Sequence, residues 1–280
     1  VTWARTMDDG MPNTILAMSP DGRLVVFSAR AGDVTALWLR SLTLNETWRL
    51  PGTEGGISPF WSPDSSSIGF FAERRLKRLD LNGLGSTSRD VQRLPAPVAL
   101  VEVGNQRGGT WGPDDTIVFA PFPGELKRIS ARGGEATSLT SLQRELHHVR
   151  PQFLAGTRQL LYRAWTLNNR RVPFYAMSLD ASDRKLIATL DTGYVTYSRG
   201  HLLFMQDNTL MAQPFDVKSP AVSGPPWPVA RDVLVSTGGR PVFGVFSASQ
   251  NGRLVYLSKG SDFNDPMTVL ANWTGDQMGR

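Results

Sequence analysis

The apolar positions of this chain fall in short runs separated by clusters of Pro, Asp, Gly and Ser. Residues 17–29, AMSPDGRLVVFSA, show the unit, and residues 60–72, FWSPDSSSIGFFA, repeat it. In the first unit Ser19, Pro20, Asp21 and Gly22 form a turn signal; in the second Ser62, Pro63 and Asp64 do, followed by Ser65. A third copy runs Gly112, Pro113, Asp114, Asp115, and weaker copies begin at Leu154, Ser198 and Ser249. The steps between first residues are 43, 50, 42, 44 and 51, close to the length of one four-stranded propeller blade. The residue types fit the geometry. Pro presets φ at the first central position of a type I turn, Asp bonds the backbone N–H groups of the turn, and Gly accepts positive φ.

Each turn is followed by an apolar run that ends in an aromatic. These are LVVF at Phe27, IGFF through Phe70, IVF at Phe119, LLY at Tyr162, LLF at Phe204 and LVY at Tyr256. Runs this apolar predict strands buried on both faces, as when sheets pack face to face. A third strand is predicted in every repeat (ALWLRSL, RLKRLDL, ELKRISA, FYAMSLD, TLMAQPFD, TVLANWT). An outer fourth is predicted in five (TWRLP, VQRLP, ATSLT, KLIATL, WPVARDV). The sixth repeat ends after its third strand, whereas the N-terminus offers a spare one, VTWART at residues 1–6. The predicted fold is therefore all-β: a single six-bladed β-propeller of four-stranded antiparallel blades. Strand 1–6 is expected to complete the last blade and so remove an open edge. The expected blades are 11–55, 56–99, 100–143, 144–191, 192–233 and 234–280.

Composition is that of a globular chain: 280 residues, 40% hydrophobic and 20% charged, with 27 Gly and 19 Pro to serve many turns. No run approaches the 18 or more apolar residues that span a bilayer, and no charged-then-apolar leader opens the chain. Because it begins with Val1, it is expected to be a fragment or processed product. Cysteine is absent, which excludes disulfides, zinc–thiolate sites and cysteine nucleophiles. The net charge of +5 is scattered, and its densest patch, RRLKRLDL at 74–81, alternates as the solvent face of a strand does, so nucleic acid is not an expected partner.

The Ser-Pro-Asp-Gly turn followed by an apolar strand resembles the WD40-like PD40 propellers, the family that includes the C-terminal domain of TolB. Longer stretches narrow the likeness: residues 50–81, 107–121, 148–162 and 200–233 are similar to the propellers of bacterial, especially acidobacterial, transmembrane serine/threonine kinases. There the kinase precedes a membrane helix and the propeller sits outside. The resemblance implies a non-catalytic sensor or interaction domain on the periplasmic or extracellular side, touching the membrane only through a helix outside this chain. The alternatives are a TolB-like periplasmic scaffold for envelope proteins and the gating propeller of a serine peptidase. Repeat four departs from the pattern, with Leu-Ala-Gly-Thr at its turn and Arg150 where Trp is expected.

Motifs for catalysis are missing. There is no Gly-x-Ser-x-Gly elbow, no His-Arg-Asp or Asp-Phe-Gly kinase signature, no Walker lysine and no Asp-x-Asp-x-Asn-Gly calcium loop. No cofactor is expected. GLGSTS at 83–88 lacks the third glycine of a phosphate loop and precedes VQRLP, read as a strand, so it is expected to be a hairpin loop. His147 and His148 are adjacent and so point to opposite faces of a strand, and His201 is the only other histidine, so no metal site is predicted. Trp61 and Trp111 occupy matching places before the turn and are expected to pack between blades. The functional surface is expected where inner strands begin, at residues 11–14, 56–59, 107–110, 147–151, 194–197 and 240–243. Arg107, His148, Arg150, Arg240 and Phe243 are the candidate channel-mouth residues. The arginines come from three blades and favour an anionic ligand or an acidic partner segment. The partner there is expected to be a protein, peptide or small molecule.

Overall fold

A computed structural model describes residues 2–3, 16–85, 87–167, 171–180, 183–235, 241–258 and 267–272. Six antiparallel sheets follow one another along the chain, as the repeat predicts. Their innermost strands are Leu16–Met18, Ile57–Trp61, Asn105–Trp111, His147–Phe153, Val195–Ser198 and Phe246–Ala248. Each pairs with the apolar strand after its turn, that strand pairs with a third, and in five blades the third pairs with outer pieces. In blade five the outer position is shared by Ala221–Val222 and Trp227–Ala230.

The turn chemistry is seen directly. Ser19 Oγ donates to Asp21 Oδ1 at 2.6 Å, Asp21 Oδ1 accepts the Arg23 N–H, and Ser19 Oγ accepts the Leu24 N–H. Ser62 and Asp64 repeat the pattern, with the Ser66 and Ser67 N–H groups as donors. Gly22 takes φ +70°, the left-handed region only glycine enters without strain. Ser249 and Asn251 form the same tether in blade six, Asn standing for Asp. Asp114 departs from expectation. Gly112 offers no hydroxyl, and the Asp114 carboxylate instead pairs with Arg158 of the next blade.

Apolar side chains from facing sheets form six separate cores, one between each pair of neighbours. Val26, Leu39, Trp61 and Phe70 join blades one and two. Leu16, Phe27, Val255 and Leu257 join blades six and one, so the ring is closed. Trp61 buries its ring in this packing and donates its indole N–H to the Ala17 carbonyl at 2.9 Å, which places it between blades as expected.

Closure is not made by the N-terminal strand. Thr2–Trp3 pairs with Arg30 and Ala29 of blade one, and blade six has three strands among the described residues. The reason lies in strand length. Leu24–Ala31 has eight residues; among the described residues its inner partner Leu16–Met18 pairs with Val25 to Phe27, and Ala29 and Arg30 farther along the same strand take Thr2–Trp3. The ring is instead latched by polar contacts along the axis. Ser247 Oγ of blade six accepts the Met18 N–H at 3.0 Å, and Arg253 donates to the Gly22 carbonyl. Replacing Ser247 by Ala leaves that buried N–H unpaired and is expected to cost about 1–3 kcal/mol. Urea denaturation measures it; Ser247→Thr is expected to keep most of the loss from appearing.

VQRLP is not a strand. Residues Ser88–Gln92 form a short helix whose N-cap, Thr87, exchanges hydrogen bonds with Asp90 in a capping box. Val91 and Leu94, three apart, drop into the core between blades one and two. The outer strand of blade two is therefore Val98–Glu102, which runs past the expected boundary at residue 99.

Candidate functional site

Three consecutive innermost strands carry the same irregularity. The pairing register slips between Ile57 and Phe60, between Gln106 and Gly109, and between Val149 and Gln152. At the centre of each slip stands a residue with positive φ: Ser58 (50°), Gly108 (97°) and Arg150 (56°). Such β-bulges bend a strand and re-aim its side chains. Here they bring Arg150 to the wall of a cavity of about 230 Å³ along the axis, lined also by Trp61, Trp111, Phe153 and Tyr194.

Arg150 lies over the ring of Phe243, its Cζ 5.5 Å from the centroid. Burial, and secondarily the charge of Arg107, push the Arg150 guanidinium down to about 10, against an opposing pull from Tyr194. Arg107 is buried above Phe122 at 4.0 Å and donates to the carbonyl of Gln106 at 3.0 Å. These two sequence-predicted arginines are thus electrostatic neighbours. Phe243, the aromatic candidate for the channel mouth, is buried beneath Arg150 rather than lining the cavity. Arg240 and residues 11–14 lie outside the described residues.

Phe243 depends on a glycine. A Cβ on Gly193 would stand 2.2 Å from Phe243 Cε1, so only glycine lets the ring lie flat on the start of blade five. Gly193→Ala is expected to displace Phe243 and to cost about 1–3 kcal/mol by overpacking. Loss of the ring's shielded aromatic NMR signals, with a lower melting temperature, would report both.

His148 does not belong to the channel. It is fully buried between blades three and four, its ring 4.8 Å from that of Tyr162. Arg184 donates to Nε2 at 3.3 Å, which fixes the neutral tautomer with its proton on Nδ1, and Nδ1 then donates to Thr140 Oγ1 at 2.8 Å. The slip after Val149 comes one residue beyond His148, so His148 keeps its regular pleat and faces the neighbouring blade. Both nitrogens are engaged, and the imidazole is not placed to exchange protons with anything in the channel. His147, on the opposite face, stacks edge-on against Phe122 at 4.5 Å.

The sequence reading missed Arg163. It sits on the second strand of blade four, just after Tyr162, and only 1% of its surface is exposed. Its Cζ is 4.8 Å from the Trp165 ring and 5.7 Å from that of Phe243, the ring Arg150 also covers. A signal was present: the residue after the repeat's aromatic is Ser28, Phe71, Ala120, Met205 or Leu257 elsewhere, and charged only here.

Among the described residues no cluster of three or more His, Asp or Glu side chains could hold a metal ion, and no helix is long and apolar enough to cross a membrane. Chemically, the axial site offers positive charge set among aromatic faces: a place to bind.

No protein-family model matches the chain, and no curated protein sequence matches it either. Solved structures share its fold. TolB from Acinetobacter baumannii superimposes with a TM-score of 0.56 at 14% identity, over 71% of this chain and 50% of that one. A TolB from Agrobacterium tumefaciens, described as putative in its own name, gives 0.52 at 17%, over 64% and 65%. An oligogalacturonate lyase in complex with manganese gives 0.58 at 14%, over 92% of this chain and 76% of that one. This chain thus spans less than two thirds of the length of the two TolB chains. At these identities the likeness establishes the propeller fold of the TolB type.

Proposed function

We propose that this chain is a non-catalytic recognition propeller, the extracytoplasmic sensor of a bacterial membrane-bound serine/threonine kinase, which captures a partner segment or small ligand in its axial channel. The observation that carries the reading is the channel itself: a cavity of about 230 Å³ into which a bulge turns Arg150 among Trp61, Trp111 and Phe153. The TolB-type fold is compatible with a protein-interaction role, and the kinase assignment rests on the sequence resemblance. Ligand capture would change the orientation or pairing of propellers, and a membrane helix outside this chain would pass the change on.

Sequencing the parent gene on both sides of residues 1–280 tests the assignment. The expected result is His-Arg-Asp and Asp-Phe-Gly motifs upstream, followed by about 20 apolar residues. A bare leader and a small N-terminal domain would point instead to a TolB-like scaffold, and a downstream Gly-x-Ser-x-Gly domain to a peptidase; either overturns the kinase reading.

A further inference from the structure

Taking the channel to be a recognition site, we propose that its ligand is an organic carboxylate, with its charge against Arg150 and Arg163 and its apolar part in the aromatic-walled cavity. The argument starts from Arg163. Its Nε and Nη2 are buried and have no hydrogen-bond acceptor among the described residues. Burial, reinforced by the like charge of Arg150, pushes its guanidinium down to about 9. A buried cation whose donors are unused is costly unless something supplies the missing acceptor. A carboxylate does so with two oxygens matched to the guanidinium fork.

Position supports the same chemistry. Arg163 and Arg150 both lie over Phe243, so the two positive groups flank one ring; Arg150 lines the cavity, and Arg163 stands behind it beside that ring. Arg107 adds positive potential from blade three. The remaining wall mixes polar side chains, among them Thr110, Gln152 and Thr196, with the aromatic faces of Trp61, Trp111 and Phe153, which suit a hydrocarbon or aromatic group. At about 230 Å³ the cavity is below the roughly 300 Å³ at which drug-sized pockets begin, which selects a small acid or a single terminal residue. A phosphate dianion fits less well, because it loses more hydration on burial and carries no apolar part to set against the aromatic faces.

Calorimetric titration at constant ionic strength and pH 7 tests the proposal. The probes are 3-phenylpropanoate, its neutral amide, inorganic phosphate, and acetyl-Gly-Phe with a free or amidated C-terminus. Both acids are expected to bind and both amides to fail; the tighter acid tells whether a free small molecule or a peptide end is the better source. Arg163→Met is expected to lose roughly ten- to a hundredfold in affinity, as for hydrogen bonds to a charged group. Arg163→Lys, which keeps the charge but not the fork, should fall between. Arg158→Met, on the outer surface, should bind as the wild type does. Binding of the amides, phosphate binding as tight as the acids, or an unchanged Arg163→Met would each overturn the assignment. Failure of every acid would overturn it too, while the sensor reading is judged separately from the flanking gene sequence.

Discussion

Arg163→Met is expected to raise the unfolding free energy of the ligand-free protein by about 1–3 kcal/mol, an unusual sign for a core substitution. Most buried replacements destabilise, because they leave a cavity or an unpaired partner. Here neither follows. Met fills much of the volume of the arginine stem, and no acceptor among the described residues loses a donor, since Nε and Nη2 have none. What disappears is the cost of holding a charge where burial pulls the guanidinium well below its ordinary value, to about 9. At about 1.4 kcal/mol per unit, that alone is on the order of 5 kcal/mol against the charged form. The rings of Trp165 and Phe243 offset part of it, at about 0.5–2 kcal/mol each. The balance still favours Met, as when other buried charges give way to well-packed apolar side chains. Urea denaturation of both proteins decides the matter. A variant less stable than the wild type by 1 kcal/mol or more would mean that packing of the stem outweighs the charge. With saturating 3-phenylpropanoate the gap should narrow, because the ligand adds stability to the wild type alone.

A residue kept at such a cost is rarely structural, since binding sites are where stability is given up. That same logic explains which parts of the molecule were legible in its sequence. The ring was legible because one tetrad, Ser19-Pro20-Asp21-Gly22, recurs with its mechanism intact: hydroxyl to carboxylate to N–H. Where one member changed, as with Gly112, the turn survived but the role of Asp114 did not. The edge chosen by residues 2–3 was not legible, because it depends on one long strand, Leu24–Ala31, taking two partners along its length. The helix at Ser88–Gln92 was written in Thr87 and Asp90, but the expectation of an outer fourth strand in this repeat, as in four others, overrode that local signal. At the site, alignment of the repeats found Arg107 and Arg150. It misplaced His148 because the bulge after Val149, whose position no period reveals, turns Arg150 to the channel while His148 keeps its regular pleat toward the neighbouring blade. Arg163 was not legible from the repeat, because it lies inside an apolar second strand and not at a strand start, where the channel surface was expected.

Acidification should unfold this protein in two stages, and His148 should set the first. In the unfolded chain its pKa is near 6.5; in the fold, burial, with help from Arg184, pushes it down to about 4, against the pull of Glu145. Only the neutral form fits, since Nε2 accepts from Arg184 and a proton there would face another donor. The unfolded chain therefore binds the proton first, and stability is full above pH 6.5 and falls progressively to pH 4. A fully buried imidazole with this shift contributes about 3 kcal/mol over that window. Glu145 acts below it. Burial alone would raise its pKa, but the N–H groups of Gln143 and Arg144 and the ion pair with Arg184 at 2.6 Å together hold it at about 2. Its contribution is present above pH 4.5 and is lost as pH falls toward 2. The two groups share Arg184, so their effects will not add. His148→Gln keeps a side chain able to donate to Thr140 and accept from Arg184, and it should flatten the stability profile between pH 6.5 and 4 while leaving the lower stage in place. Urea midpoints at pH 7, 6, 5 and 4 measure the slope. An equal slope in His148→Gln would assign the acid sensitivity to other groups, whereas Arg184→Met, which leaves Glu145 with the Gln143 and Arg144 N–H groups as its remaining partners among those named, should cost about 1–3 kcal/mol already at pH 7.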